Sequence, residues 1–118
     1  MEELNNIVEF QQSDGVCIAV FAGHLSDGLS EKLVSKIESR VESGIKNFLF
    51  DFSQVPMLDS PAIAAVLRCA EIIVDDNEGE MAFCGLNEIC GKVLEMVGVF
   101  LYANRFETRQ VAMSEIVD

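Results

Sequence analysis

The chain has 118 residues, half of them apolar, and carries 20 acidic against 8 basic residues for a formal net charge of -12. One domain of this length has room for a single core, and its apolar runs break within about ten residues, far short of the roughly 20 needed for a bilayer-spanning helix. The charge repels phosphate backbones and anionic headgroups, so no nucleic acid and no membrane surface is expected as a direct ligand; a basic protein is the natural counterpart.

Ile7, Val8 and Phe10 predict a first strand, with Ser13, Asp14 and Gly15 as its turn. The run from Val16 to Ala22 is apolar throughout, as in a strand covered on both faces. A polar connection from Gly23 to Gly28 follows, and Leu29, Leu33, Ile37 and Val41 then recur at helical spacing before Ser43 and Gly44 stop the helix. Lys32, Lys36 and Arg40 are interleaved with Glu31, Glu38 and Glu42, the pattern of a solvated helix face. Phe48, Leu49, Phe50 and Phe52 have the length and bulk of a buried strand over about residues 47 to 52.

After Pro56, the apolar residues Ile63, Val66, Leu67, Ala70, Ile73 and Val74 predict a helix from Pro61 to about Asp75. Ser60 stands at its start, and Pro61 suits the first helical position because its missing N–H would have no intrahelical partner. The plain structural role for Ser60 is then an N-cap. A charged turn at residues 76 to 79 precedes a strand from Met81 to Leu86. Ile89, Val93, Leu94 and Val97 predict a short helix ended by Gly98, Phe100 to Ala103 a last strand, and Val111, Ala112, Met113 and Ile116 a terminal helix. The alternation predicts a single α/β domain over residues 1 to 118, with about five strands in a mixed, mainly parallel sheet and about four helices. Loops at the carboxyl ends of parallel strands usually hold the site, and Ser26, Asp51 and Ser60 could share that edge.

Cys17, Cys69, Cys84 and Cys90 fall in apolar surroundings without C-x-x-C spacing, so they read as small buried hydrophobes of a reducing compartment. His24 is the single histidine and reads as a surface turn residue; no metal site and no cofactor is expected. No phosphate-binding glycine loop, dinucleotide fingerprint or nucleophile elbow is present, so no catalytic residue is assigned. The N-terminus lacks the basic flank and apolar stretch of a signal peptide, and cytoplasmic residence is the expectation.

The string from Phe50 to Ser60, FDFSQVPMLDS, running into Pro61, Ala62, Ile63 and Leu67, resembles the STAS family, the anti-sigma factor antagonist and sulfate-transporter domains. Residues 79 to 106 and the early strand ending at Gly23 are similar to the family in the same order, so the likeness covers nearly the whole chain. In the antagonist branch an Asp is followed by a hydroxyl residue that a partner kinase phosphorylates; the resemblance places Asp59 and Ser60 there. It implies an anti-sigma factor with serine kinase activity and a phosphatase as partners, with Ser26, Asp27, Asp51, Met57, Asp59 and Pro61 flanking the phosphosite and binding the partner. Where the family has a second hydroxyl and a glycine, this chain has Pro61 and Ala62, and its early acid is displaced to Asp27. The alternative keeps the fold without the switch, as a scaffold or accessory subunit of a signalling complex or lipid-transport ATPase, with Ser60 only a helix N-cap.

The same string also resembles, superficially, the phosphoacceptor loop of receiver domains, with Asp51 as acceptor. A receiver needs an acidic pair after its first strand to hold magnesium and a lysine near its last strand. Gly23, His24 and Leu25 follow the early strand, and residues 100 to 105 contain no lysine. Asp51 then reads as a strand-end or turn acid.

Overall fold

A computed structural model describes residues 8–23 and 27–116. Strands β1 (Val8–Ser13) and β2 (Val16–Ala22) form a hairpin whose two-residue turn, Asp14 and Gly15, takes positive φ at both positions. That is the turn whose twist matches two antiparallel strands, and Asp-Gly is among its favoured sequences. The chain continues through α1 (Asp27–Glu42), β3 (Asn47–Gln54), α2 (Ser60–Ala70), a π-helical extension (Glu71–Asp76), β4 (Glu80–Cys84), α3 (Glu88–Met96), a 3-10 turn (Val99–Leu101), β5 (Asn104–Phe106) and α4 (Arg109–Ile116). The five strands lie in the order β1-β2-β3-β4-β5, with the first pair antiparallel and the rest parallel, as the alternation predicted.

The two faces of the sheet carry separate cores because side chains alternate along a strand. Phe48, Phe50 and Phe52 of β3 face α1, α2 and α3, where they meet Leu33, Ile37, Val66, Cys69 and Leu94. Phe21, Phe50, Phe52, Phe83 and Phe100 form a connected set of rings, from 4.8 Å between Phe21 and Phe52 to 5.8 Å between Phe83 and Phe100. Each such pair contributes about 0.5–1.5 kcal/mol beyond the area it buries. On the opposite face Val16, Ile18, Leu49, Ala82 and Cys84 are covered by Ala112, Met113 and Ile116 of the short α4.

Four local expectations are corrected. Asp59, not Ser60, is the N-cap of α2; Ser60 is the first helical residue and Pro61 the second. The helix does not run on as α to Asp75 but widens to a π turn after Ala70, which lets the adjacent Ile72 and Ile73 both be buried. The Asn77 side chain closes that turn by donating to the Ile72 carbonyl at 2.7 Å. Phe100 to Ala103 is not the last strand: Gly98, at φ 87°, ends α3 and starts a 3-10 turn that places Phe100 edge-on against Phe83, and strand pairing begins only at Asn104. In α3 the core face is Cys90, Gly91 and Leu94, whereas Ile89 and Val97, expected on it, are 60% and 40% exposed. Gly91 is buried on that face, where a Cβ would lie 2.7 Å from Nη2 of Arg105, the flexible end of an exposed side chain.

All four cysteines are buried and free. The Lys32, Lys36 and Arg40 face is not wholly solvated: the Arg40 guanidinium lies 4.1 Å from the centre of the Phe10 ring. Ile7, His24 and Ser26 lie outside the described residues. Among the described residues no helix is long and apolar enough to cross a membrane.

Candidate functional site

Parallel pairing of β2, β3 and β4 sends their carboxyl ends to one edge of the sheet, and the loops leaving them are tied together there. Gly23 donates its N–H to the Gln54 carbonyl at 3.0 Å, which ties the end of β2 to the end of β3. Asn87 binds in two directions: its Nδ2 donates to the Val55 and Pro56 carbonyls at 3.3 and 3.1 Å, and its Oδ1 accepts the Cys90 N–H at 2.8 Å. One side chain thereby caps α3 and holds the loop between β3 and α2. Val55 is buried and Leu58 packs half-buried against the main core, which leaves Met57 between them, 48% exposed, at the tip.

Asp59 ends the loop with extended backbone, and its Oδ1 accepts the Ala62 N–H at 3.0 Å. The Ile63 N–H already bonds the Asp59 carbonyl at 3.0 Å, and Pro61 has no N–H. The backbone donor left at this helix start is that of Ser60 itself. Ser60 is exposed, and among the described residues its hydroxyl has no hydrogen-bond partner. An anion here would therefore meet the helix dipole but only one N–H, with the Asp59 carboxylate one residue away. Pro61 also lines an open groove of about 530 Å³ between α1 and α2, with Val34 and Ala65 among its apolar walls and Glu31 and Glu38 among its polar ones.

Asp51 does not join this cluster. It lies on β3 between Phe50 and Phe52, so its side chain emerges on the face covered by α4, opposite the face that carries α2. Its Oδ1 accepts the Ser53 N–H at 2.9 Å, and its Oδ2 accepts from Nη2 and Nε of Arg109 at 2.8 and 3.0 Å. Burial opposes the charge on Asp51, yet the Ser53 hydrogen bonds and the Arg109 guanidinium outweigh it and hold the carboxyl below its ordinary value. Arg109, which also donates to Gln11 Oε1 at 3.3 Å, was not singled out from the sequence. The signal for it was indirect: an acid in the middle of an apolar strand needs a cation.

In a comparison with known families, residues 8–112 match the STAS domain family. The chain belongs to the STAS domain family.

Solved STAS structures share its fold. It is similar to a candidate anti-sigma factor antagonist from Thermotoga maritima at 18% identity and a TM-score of 0.83, over 94% of this chain and 95% of that one. The anti-sigma factor antagonist SpoIIAA in its unphosphorylated form matches at 14% identity and a TM-score of 0.75, over 92% and 96% of the two chains. Bacillus SpoIIAA in its phosphorylated form matches at 15% identity and the same TM-score, over 92% and 98%. No curated protein matches this sequence. Within this STAS domain, Met57, Asp59, Ser60 and Pro61 lie in the loop after β3 and the first turn of α2, and Asp51 belongs to the other side of the sheet.

Proposed function

We propose that this STAS domain is an anti-sigma factor antagonist working in a partner-switching module. In its unmodified state it binds an anti-sigma factor that carries serine kinase activity, and the sigma factor is released. Phosphorylation of Ser60 by that partner ends the binding, and a phosphatase restores it; the chain itself performs no catalysis. The observation that carries this reading is Ser60: an exposed hydroxyl on the first helical residue, at the loop edge of a STAS domain, where it is not needed as the helix cap.

The electrostatics support a switch that works at the surface. A phosphate would add about -1.5 to -2 charges and three acceptor oxygens beside the Asp59 carboxylate, in the middle of the patch formed by Met57 and Pro61. With one free N–H in reach, little of that charge is absorbed by backbone hydrogen bonds, so most of it faces an approaching partner. The fold is retained, since Asp59 still caps α2 and no core residue is touched. Met57 belongs to the proposed docking surface, to which the family resemblance adds Asp27; the cytoplasm is its expected compartment.

Pro61 is the observation that favours the second reading, a scaffold without a switch, because it removes an N–H that would otherwise stabilise a phosphate. The test is to mix the chain with an anti-sigma factor kinase from the same organism and ATP, locate phosphate by peptide mass spectrometry, and measure partner affinity for Ser60→Ala, Ser60→Asp and Met57→Asp. Phosphate on Ser60, retained binding by Ser60→Ala and weakened binding by the other two support the switch. Phosphate elsewhere, or equal affinity for Ser60→Ala and Ser60→Asp, overturns it.

A further inference from the structure

The outward crest of α3 is apolar in a chain whose surface is otherwise strongly acidic. Cys90, Gly91 and Leu94 turn inward, so helical geometry puts Ile89 and Met96 opposite them, pointing straight away from the core. Ile89 is 60% exposed and Met96 84%; Val97 follows at 40%, and Leu101 in the adjoining 3-10 turn reaches 89%. Half-buried Val93 lies between them on the same side. Leu101 stays close to the helix end, since its N–H donates to the Gly98 carbonyl at 3.1 Å and a Cβ at Gly98 would sit 3.6 Å from its Cδ1. Four of the six large apolar side chains most exposed in the described structure thus come from residues 89 to 101. A contiguous patch of this kind marks a contact surface.

We infer that this face is a two-fold interface between two copies of the chain, packed through antiparallel α3 helices. The charge pattern selects a second copy as the occupant. The whole chain has 20 acids against 8 bases, but the flank of α3 beside the patch carries exposed Lys92 between Glu88 and Glu95. Lys92 there gives one chain of charge -12 a cation to set against an acid of a second copy. A two-fold axis brings like flanks of the two helices together. A register with Lys92 opposite Glu95 of the second copy then makes two reciprocal ion pairs beside a seam of Val93 and Met96. Lys92 has no ion pair within its own chain among the described residues, so the pairing displaces nothing. An association through one helix face and the turn beside it is expected to be weak, with a Kd in the range of about 10 μM to 1 mM. It does not use the Ser60 surface and stands apart from the switch.

Sedimentation velocity over about 5 μM to 1 mM protein tests it. The expected result is a mass that rises with concentration from 13.0 kDa toward twice that value. Met96→Glu and Leu101→Glu should stay monomeric with unchanged melting temperature. Lys92→Glu should weaken the dimer about tenfold, and the swap Lys92→Glu with Glu95→Lys should restore it. Raising salt from about 0.05 to 0.5 M should strengthen the wild-type dimer, because screening relieves the repulsion between two acidic chains while leaving apolar contact in place. A monomer at every concentration overturns the inference, as does a dimer that Met96→Glu and Leu101→Glu leave intact. Monomeric protein that binds zwitterionic vesicles through Met96 and Leu101 also overturns it, by assigning the crest to a lipid surface.

Discussion

Arg109 places two N–H groups on a single oxygen of Asp51, at 2.8 and 3.0 Å, while the other oxygen accepts the Ser53 N–H. This pair fastens α4 to the face of the sheet opposite α2. Asp51 is 7% exposed by its side chain and Arg109 38%, so the two ends of the pair are not equivalent. Arg109→Ala leaves a buried carboxylate without its cation and should cost about 2 kcal/mol, a value reduced from the fully buried case because Arg109 reaches solvent. Asp51→Asn leaves an arginine that can turn to water and should cost less. Urea unfolding of the two variants gives the order; a larger loss for Asp51→Asn would contradict it.

The same pair fixes a pH dependence. Asp51 ionises more easily in the folded chain than in the unfolded one, so its contribution is present in full above the unfolded value of about 3.9. It is lost as pH falls through the lower, folded value, because protons then bind the native carboxylate as well. The stability difference between wild type and Asp51→Asn should be constant near neutrality and shrink only below about pH 4. A difference that already narrows between about pH 5 and 7 would place the effect on another group.

Asp59 and Ser60 should separate in a stability measurement. Asp59 carries the cap of α2, so Asp59→Ala should lose about 1 kcal/mol. Ser60→Ala removes an exposed hydroxyl with no partner among the described residues and exchanges it for a better helix former, so its melting temperature should be unchanged or slightly higher. A drop for Ser60→Ala comparable to that for Asp59→Ala would return the cap to Ser60.

Gly85 joins β4 to the site and tolerates no side chain. Its φ is +72°, and a Cβ there would lie 2.7 Å from the Ser53 Cβ. Gly85→Ala should destabilise by about 2 kcal/mol through strained backbone and the clash together, read from the urea midpoint at unchanged slope.

The cysteines should be silent toward thiol reagents in the native state. Burial pushes Cys69 up to about 12, with the Glu38 charge adding to it; burial does the same at Cys84, up to about 12, with the Asp51 charge adding. Burial also raises Cys17 and Cys90. With such values the thiolate fraction of Cys69 and Cys84 at pH 8 is about one in ten thousand, so labelling should follow unfolding and accelerate with urea. Fast labelling of any thiol without denaturant would show an opening the structure does not contain.

The element order was legible because each element writes its own period into the sequence. The phenylalanines at 48, 50 and 52, the helical spacing of Leu33, Ile37 and Val41, and the Asp14-Gly15 turn are local signals, and local physics acts on them in the same way in any context. The start of α2 was legible to within one residue. Asp59 and Ser60 are both good capping residues, and the choice between them rests on which oxygen reaches the Ala62 N–H, a matter of loop backbone that composition does not specify.

What the sequence by itself determined is a STAS-type α/β chain with a hydroxyl at the head of its central helix and a surplus of acid. What only the tertiary structure decided is which side each side chain takes. The two-residue period of β3 sends Asp51 away from Ser60 although nine positions and one loop separate them, and its partner Arg109 lies 58 residues on, beyond any local pattern. In α3, where apolar residues lie on both sides of the helix, packing of Cys90 and Leu94 into the core left Ile89 and Met96 outside. Periodicity fixes how residues group along an element; only contact with the rest of the chain fixes which group is buried, because burial energy belongs to the pair of surfaces and not to either one alone.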